Sequence, residues 1–261
     1  MKAKYRHIIF DADHTLIDFN ADERRAFRIS IADIPPTEAC NEQSTADMPP
    51  TEAHKASTSD MPPTDGDIVA HMQAYSLRNW FELGLDNVND PVIRKQYHAR
   101  TYEHVHALFE YATKKYHLKN AKEAERIFYQ TLCLPAHPCQ GSLEVVKALS
   151  KNYELSIATN GLSDMQRARL KEFKPYLKHL FISEEMKTIK PAEEFGQIML
   201  DALQAGADEC LFVGDSLSSD VALANKLNMD VIWVNPEGRP LPEGYCVKGQ
   251  IKTLNELNKY I

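Results

Sequence analysis

Short apolar runs that stop abruptly at polar residues recur along this chain, and each predicts a buried strand of a parallel sheet ending at a loop. Arg6-His7-Ile8-Ile9-Phe10 halts at Asp11, Tyr153-Glu154-Leu155-Ser156-Ile157-Ala158 runs into Thr159-Asn160-Gly161, and Cys210-Leu211-Phe212-Val213 runs into Gly214-Asp215. Val231 to Val234 supplies a fourth. Helix-like stretches at 142–150, 195–205 and 219–227 alternate with these strands. The β-α-β-α order predicts an α/β fold with a Rossmann-like parallel sheet and helices on both faces. Three of the strands end in residues suited to ligands, and open sheets of this kind bind ligands at the carboxyl ends of their strands.

Between the first strand and the second, more than a hundred residues carry no strand pattern. Helical signals dominate from about residue 68 to 132, with apolar or aromatic positions at Val92, Ile93, Tyr97, Tyr102, Val105, Leu108 and Phe109. That is too long for a crossover and predicts an inserted α-helical cap, residues 19–137, on a core made of residues 1–18 and 138–261. Within it, Ala-Asp-Ile/Met-Pro-Pro-Thr recurs at Asp33 and Asp47, and a shortened copy follows at Asp60. Paired prolines remove backbone donors, and the Ser, Thr, Asn and Gln between them offer little to bury, so residues 32–65 are expected to form a tandemly duplicated mobile loop.

Composition narrows the class. Of 261 residues, 43% are hydrophobic and 26% charged, and no window approaches a membrane span, so a cytoplasmic globular protein is expected. Thirty basic against 37 acidic residues leave a formal charge of −7, with no basic run to neutralise a nucleic-acid polymer. Five irregularly spaced cysteines suit reduced thiols better than a disulfide framework. Such a protein handles phosphate only with a metal or a few well-placed cations.

The candidate chemistry lies at the strand ends. Asp11 and Asp13, about 7 Å apart if extended, can divide labour as ionised nucleophile or ligand and as proton carrier. Asp215 and Asp220 add two acids with no basic run beside them, a hard oxygen set that suits Mg²⁺. Thr159 and Asn160 offer a hydroxyl and turn N–H groups for phosphate oxygens, and Lys190, before Pro191, supplies a fixed positive charge.

In this order the motifs resemble those of the haloacid dehalogenase-like hydrolase superfamily: Asp11-Ala12-Asp13-His14-Thr15, Thr159-Asn160-Gly161, Lys190-Pro191, and Gly214-Asp215 through Asp220. The helical insert is similar to that superfamily's first-position cap. Phe10-Asp11-Ala12-Asp13, Ala158 to Gly161 followed by Gln166 and Arg169-Leu170, and Ile182-Ser183-Glu184-Glu185 look like the noncanonical pyrimidine 5'-nucleotidase group. The resemblance implies that Asp11 attacks phosphorus to form an aspartyl-phosphate and that Asp13 serves as acid and base. It implies Mg²⁺ on Asp11, the Asp13 carbonyl and Asp215. Thr159, Asn160 and Lys190 would hold the transferring group, and Asp220 would support them. The implied substrate is a small phosphorylated metabolite, a pyrimidine nucleoside monophosphate.

Two rivals stay open. A sugar-phosphate phosphatase or phosphomutase uses the same core under a different cap. A phosphorylation-controlled switch also places Asp, Thr, Lys and Mg²⁺ at strand ends, but Asp13 beside the nucleophile promotes turnover, which a switch must avoid. Weaker features carry less: Cys133, His137 and Cys139 are one ligand short of a structural zinc site. His98, His104 and His106 are expected on a solvated surface, and Tyr75, Trp80 and Phe81 in the cap core.

Overall fold

A computed structural model describes residues 4–32 and 68–261, so all but the first residue of the 32–65 segment lies outside the described residues. Six parallel strands, β1 (His7–Phe10), β2 (Glu154–Thr159), β3 (His179–Ile182), β4 (Cys210–Gly214), β5 (Asp230–Val234) and β6 (Gly249–Ile251), make one sheet in the order β3-β2-β1-β4-β5-β6. Strand alternation sorts its side chains to two faces. Ile8, Phe10, Leu155, Ile157, Leu211 and Val213 pack on one side with Val146 and Leu149 and with Leu254 and Leu257 near the C-terminus. Ile9, Ala158, Phe212, Val231 and Trp233 pack on the other with Phe195, Met199 and Leu223. Helices therefore cover both faces, as the strand and helix order predicts. Two strands escape sequence reading. β3 is four residues long, beginning at His179, and β6 is three residues at the edge, and neither has a run long enough to stand out.

Four described helices make up the insert that follows β1: α1 (Phe19–Ser30), α2 (Ile68–Glu82), α3 (Pro91–Tyr116) and α4 (Ala121–Leu132). Asp18 starts α1 by accepting the Ala21 N–H, and Asp90 caps α3 with Pro91 at its first position, where a missing N–H costs nothing. Their apolar stripes meet in a separate core of Phe27, Met72, Leu108, Phe109, Ala112, Phe128 and Leu132, with Phe128 4.7 Å from Phe27 and 5.4 Å from Phe109 between ring centres. Where the chain enters and leaves this helical insert the two crossings pair: the Cys139 N–H donates to Leu16 O and the Asp18 N–H to His137 O, each at 2.8 Å.

After the insert come α5 (Ser142–Leu149), α6 (Ser163–Arg169), α7 (Ser183–Met186), α8 (Glu193–Leu203) and α9 (Ala222–Lys226). The stretch expected as one helix over 219–227 is instead a wide π turn, Leu217–Val221, followed by α9. The reason is local: the Val221 N–H reaches back five residues to Ser216 O, and Asp220 is buried where its carboxylate accepts the Ser216 N–H. Single π turns of this kind often reposition a side chain at a site. No described helix is long and apolar enough to cross a membrane.

Candidate active site

Strand register decides where the site forms. Phe10 stands level with Ile157 and Val213, so Asp11, Thr159 and Asp215 all leave the sheet at its carboxyl edge within a residue or two of one another. The Asp11 N–H still holds Val213 O at 2.8 Å. Beyond it the chain curls around Ala12 O, which accepts from Leu16 and Ile17, with His14 in the left-handed region at φ 60°. The His14 N–H closes the curl by donating to Ile17 O at 2.8 Å.

Lys190 is the hub. Its Nζ donates to Asp11 Oδ1 at 2.6 Å, Ala158 O at 2.6 Å and Asp220 Oδ1 at 2.7 Å, and the side chain is buried. Its backbone is clamped by Asn160, which donates from Nδ2 to Lys190 O and accepts the Lys190 N–H at Oδ1. The Asn160 side chain is thus spent on positioning the lysine, leaving its main-chain N–H as the group for a ligand. Thr159 Oγ1 accepts from Gln166 Nε2 at 2.9 Å and keeps its own proton to donate.

Asp215 completes an acidic group. Asp11, Asp215 and Asp220 each offer an oxygen within 4.8 Å of the others. The Asp215 carbonyl is fixed by Trp233 Nε1 at 2.8 Å. Gly214 is required here, because a Cβ on it would stand 2.3 Å from Asp220 Oδ2. Burial, helped by Asp220 and Asp215, pushes the Asp11 carboxyl well above the usual range against the pull of Lys190. Burial and Asp220 likewise push Asp215 up to about 8. Burial pulls on the lysine too, but Asp11 and Asp220 outweigh it and hold the ammonium charged. Three carboxyl groups around one cation leave excess negative charge in a buried place, and their hard oxygens fit Mg²⁺. Asp220 already gives both oxygens to Lys190 Nζ, Ser219 Oγ and the Ser216 N–H, so Asp11 and Asp215 are the carboxylates that suit the ion.

Asp13 has a different environment. Gln166 Nε2 donates to its Oδ2 at 2.8 Å, and Arg169 Nη1 lies 2.7 Å from its Oδ1 as an ion pair out of line for a hydrogen bond. Burial pushes this carboxyl up, but Arg169, His14 and the Gln166 bond overcome it and hold the group below its ordinary value. Arg169 is itself 1% exposed and also meets Asp22 Oδ2 at 3.3 Å; Asp22 in turn accepts from His137 Nδ1 at 2.7 Å.

All seven residues singled out by sequence, Asp11, Asp13, Thr159, Asn160, Lys190, Asp215 and Asp220, come together here. Gln166 and Arg169 were noticed in sequence only as part of a resemblance. Their i, i+3 spacing on the helix after Thr159 puts both on one face, and that face meets Asp13. The histidines need a correction. His106 is exposed, but His104 is buried, its Nδ1 donating to Asn79 Oδ1 at 2.8 Å, and His98 Nε2 meets Ser183 Oγ at 2.8 Å. Residues two apart do face different ways on a helix, and α3 is packed on more than one side, so one of those directions is interior.

With this geometry in view the relatives are informative. The chain belongs to the haloacid dehalogenase-like hydrolase family, whose model matches residues 67–234. It is 25% identical over 265 residues to the HAD-hydrolase YfnB of Bacillus subtilis, covering 97% of this chain and 94% of that protein. It is 28% identical over 240 residues to the pyrimidine 5'-nucleotidase PynA of Streptococcus pneumoniae, covering 89% and 84%. A crystal structure of YfnB bound to magnesium superposes with a TM-score of 0.72 at 23% identity over 98% of each chain, which establishes the fold.

Proposed function

We propose that this hydrolase cleaves phosphomonoesters and that its substrates are pyrimidine nucleoside monophosphates, as the similarity to PynA and to the pyrimidine 5'-nucleotidase YjjG of Escherichia coli suggests. The observation that carries the phosphatase reading is the buried Lys190 ammonium shared by Asp11 and Asp220, with Asp215 alongside. A lone nucleophile needs no such arrangement, but a phosphoryl group carrying two negative charges does.

Asp11 attacks phosphorus in line, the bond to the leaving alkoxide breaks, and an aspartyl-phosphate forms. Lys190, the Thr159 hydroxyl and the Asn160 main-chain N–H hold the phosphoryl oxygens. Asp13 supplies the proton to the alkoxide. At rest Arg169 keeps Asp13 ionised, and the arriving phosphate dianion favours its protonation by placing like charge beside it. Asp13 then takes a proton from water, which attacks the phosphorus, releases phosphate and restores Asp11. Asp11, the Asp13 carbonyl and Asp215 would hold Mg²⁺, which when bound would supply charge neutralisation. Together these effects must lower the barrier by on the order of 20 kcal/mol, given how slowly phosphate monoesters hydrolyse unaided.

The presence of Asp13 favours a phosphatase over carbon–halogen cleavage, in which a departing halide needs no proton. Residues 19–137 act as a cap over the core of 1–18 and 138–261, and substrate choice falls to the cap because the core grips only the phosphoryl group. A phosphate-release screen over nucleoside monophosphates and sugar phosphates with Mg²⁺ tests this. UMP, dUMP or dTMP should lead, and purine monophosphates should be poorer. A clear preference for a hexose or triose phosphate would overturn the nucleotide assignment.

A further inference from the structure

The helical insert contains a buried carboxyl group that the reaction above leaves unused. Glu23 on α1 is 6% exposed, yet its hydrogen-bonding partners among the described residues are neutral: Ser76 Oγ donates to Oε1 at 2.6 Å and Gln73 Nε2 to Oε2 at 3.4 Å. Ser76 also lies 3.2 Å from His104 Nε2. A carboxyl group buried without a cation is costly, and a fold that needed only to tie three helices together could do so with an amide.

Its surroundings lead back to the nucleophile from two sides. On one side His14, the residue after Asp13, acts electrostatically on both Asp13 and Glu23, and its ring stands edge-on to Phe19 at 6.1 Å. On the other, the Trp80 ring meets His104 edge-on at 5.5 Å and Tyr97 at 6.1 Å, and the Tyr97 hydroxyl feels the charges of Asp13 and Asp11. Glu23, Ser76, His104, Trp80 and Tyr97 thus form one chain of contacts, and Tyr97 packs in one cluster with Ile189, the residue before Lys190. Aromatic rings suit a flat heterocycle, and a carboxylate acceptor suits a ring N–H.

We propose that Glu23 reads the base of the substrate, accepting a hydrogen bond from the imide N–H of a uracil- or thymine-type ring seated against Trp80 and Tyr97. This assignment rests on the nucleotidase reading. A site built to pair a buried acceptor with a substrate donor discriminates strongly against an analogue that lacks the donor, because the acceptor is then left unpaired.

The test compares kcat/KM for UMP and for N3-methyl-UMP at pH 8. The wild-type protein should disfavour the methylated substrate by roughly tenfold or more. In Glu23→Gln, Ser76 should hold the amide oxygen and turn the NH₂ toward the base, so UMP should lose its advantage and the ratio should fall to within about twofold. Equal hydrolysis of the two substrates by the wild-type protein, which needs no variant to fold, would overturn the proposal. So would a ratio that Glu23→Gln leaves intact, because Glu23 would then be a packing residue. If the wild-type protein hydrolyses sugar phosphates but not UMP, the nucleotidase reading fails, and this assignment fails with it.

Discussion

Two buried carboxylate groups, one at the sheet edge and one inside the helical insert, are stabilised in opposite ways. At the edge, Asp11 and Asp220 share an ammonium and Asp13 faces a guanidinium, so fixed charge opposes burial, overcoming it at Asp13 and in part at Asp11. In the insert the hydrogen-bonding partners of Glu23 among the described residues are a hydroxyl and an amide, and burial pushes its carboxyl up to about 7. The first arrangement is ready for a charged ligand whatever that ligand carries. The second favours a neutral partner with a donor to offer. The difference fits a division in which the sheet grips the phosphoryl group and the insert distinguishes what is attached to it.

The sharpest way to break this division is Asp11→Asn, which removes the nucleophile with almost no change in volume. Turnover should fall by at least about 10³-fold while the melting temperature stays within a few degrees. Phosphate release near the wild-type rate from the folded variant would place the chemistry elsewhere.

Lys190→Met should strike both stability and activity. It leaves Asp11, Asp215 and Asp220 buried together with no cation, a loss of about 3–5 kcal/mol by analogy with other broken buried pairs. Denaturant titration measures it, and adding Mg²⁺ should return part of the loss because the ion binds the folded acids. A variant as stable as wild type without metal would mean the acids are neutral at rest.

Glu23 makes a prediction of its own about pH. Its folded-state pKa is raised, so the protonated carboxyl contributes stability that is complete below the ordinary value of 4.5 and disappears as pH rises through about 7. Wild type should therefore lose on the order of 3 kcal/mol relative to Glu23→Gln between those limits. Parallel stability profiles for the two proteins would show that the carboxyl is not buried in solution.

The smallest effect is expected from removing residues 32–65 and joining the ends with a short flexible linker. That segment's Pro, Ser, Thr and Asp composition offers little to a core, and loop length has a weak effect on closure entropy. Activity on small substrates should stay within a few fold. An unfolded product would assign the repeat to the insert's structure.

These contrasts also explain what the sequence could and could not convey. The phosphoryl half was legible because Asp11, Thr159 and Asp215 each end or follow an apolar strand, and parallel register brings strand ends together whatever lies between them. Asp11, Thr159 and Asp215 are separated by long stretches of chain yet lie at one sheet edge. The roles of Arg169 and Gln166 were harder to read, since a buried arginine on a helix looks like a surface residue until its partner Asp13 is placed. His104 and Glu23 were illegible for a related reason. Which side of a helix is interior depends on the other helices packed on it, and no periodic signal records a polar residue turned inward toward another polar residue. The π turn at Leu217–Val221 likewise arises from a side-chain contact of Asp220 that helical periodicity does not encode.

The central claim is that Asp11 becomes covalently phosphorylated. The most direct measurement is peptide mass spectrometry of Asp13→Asn after incubation with UMP and Mg²⁺ and an acid quench, because losing the base should slow hydrolysis of the acyl phosphate and let it accumulate. The account predicts one added phosphoryl group on the peptide containing Asp11, absent when Asp11→Asn is introduced as well. A protein that turns over substrate with that peptide unmodified at every quench time, and keeps doing so with Asp11→Asn, would contradict it.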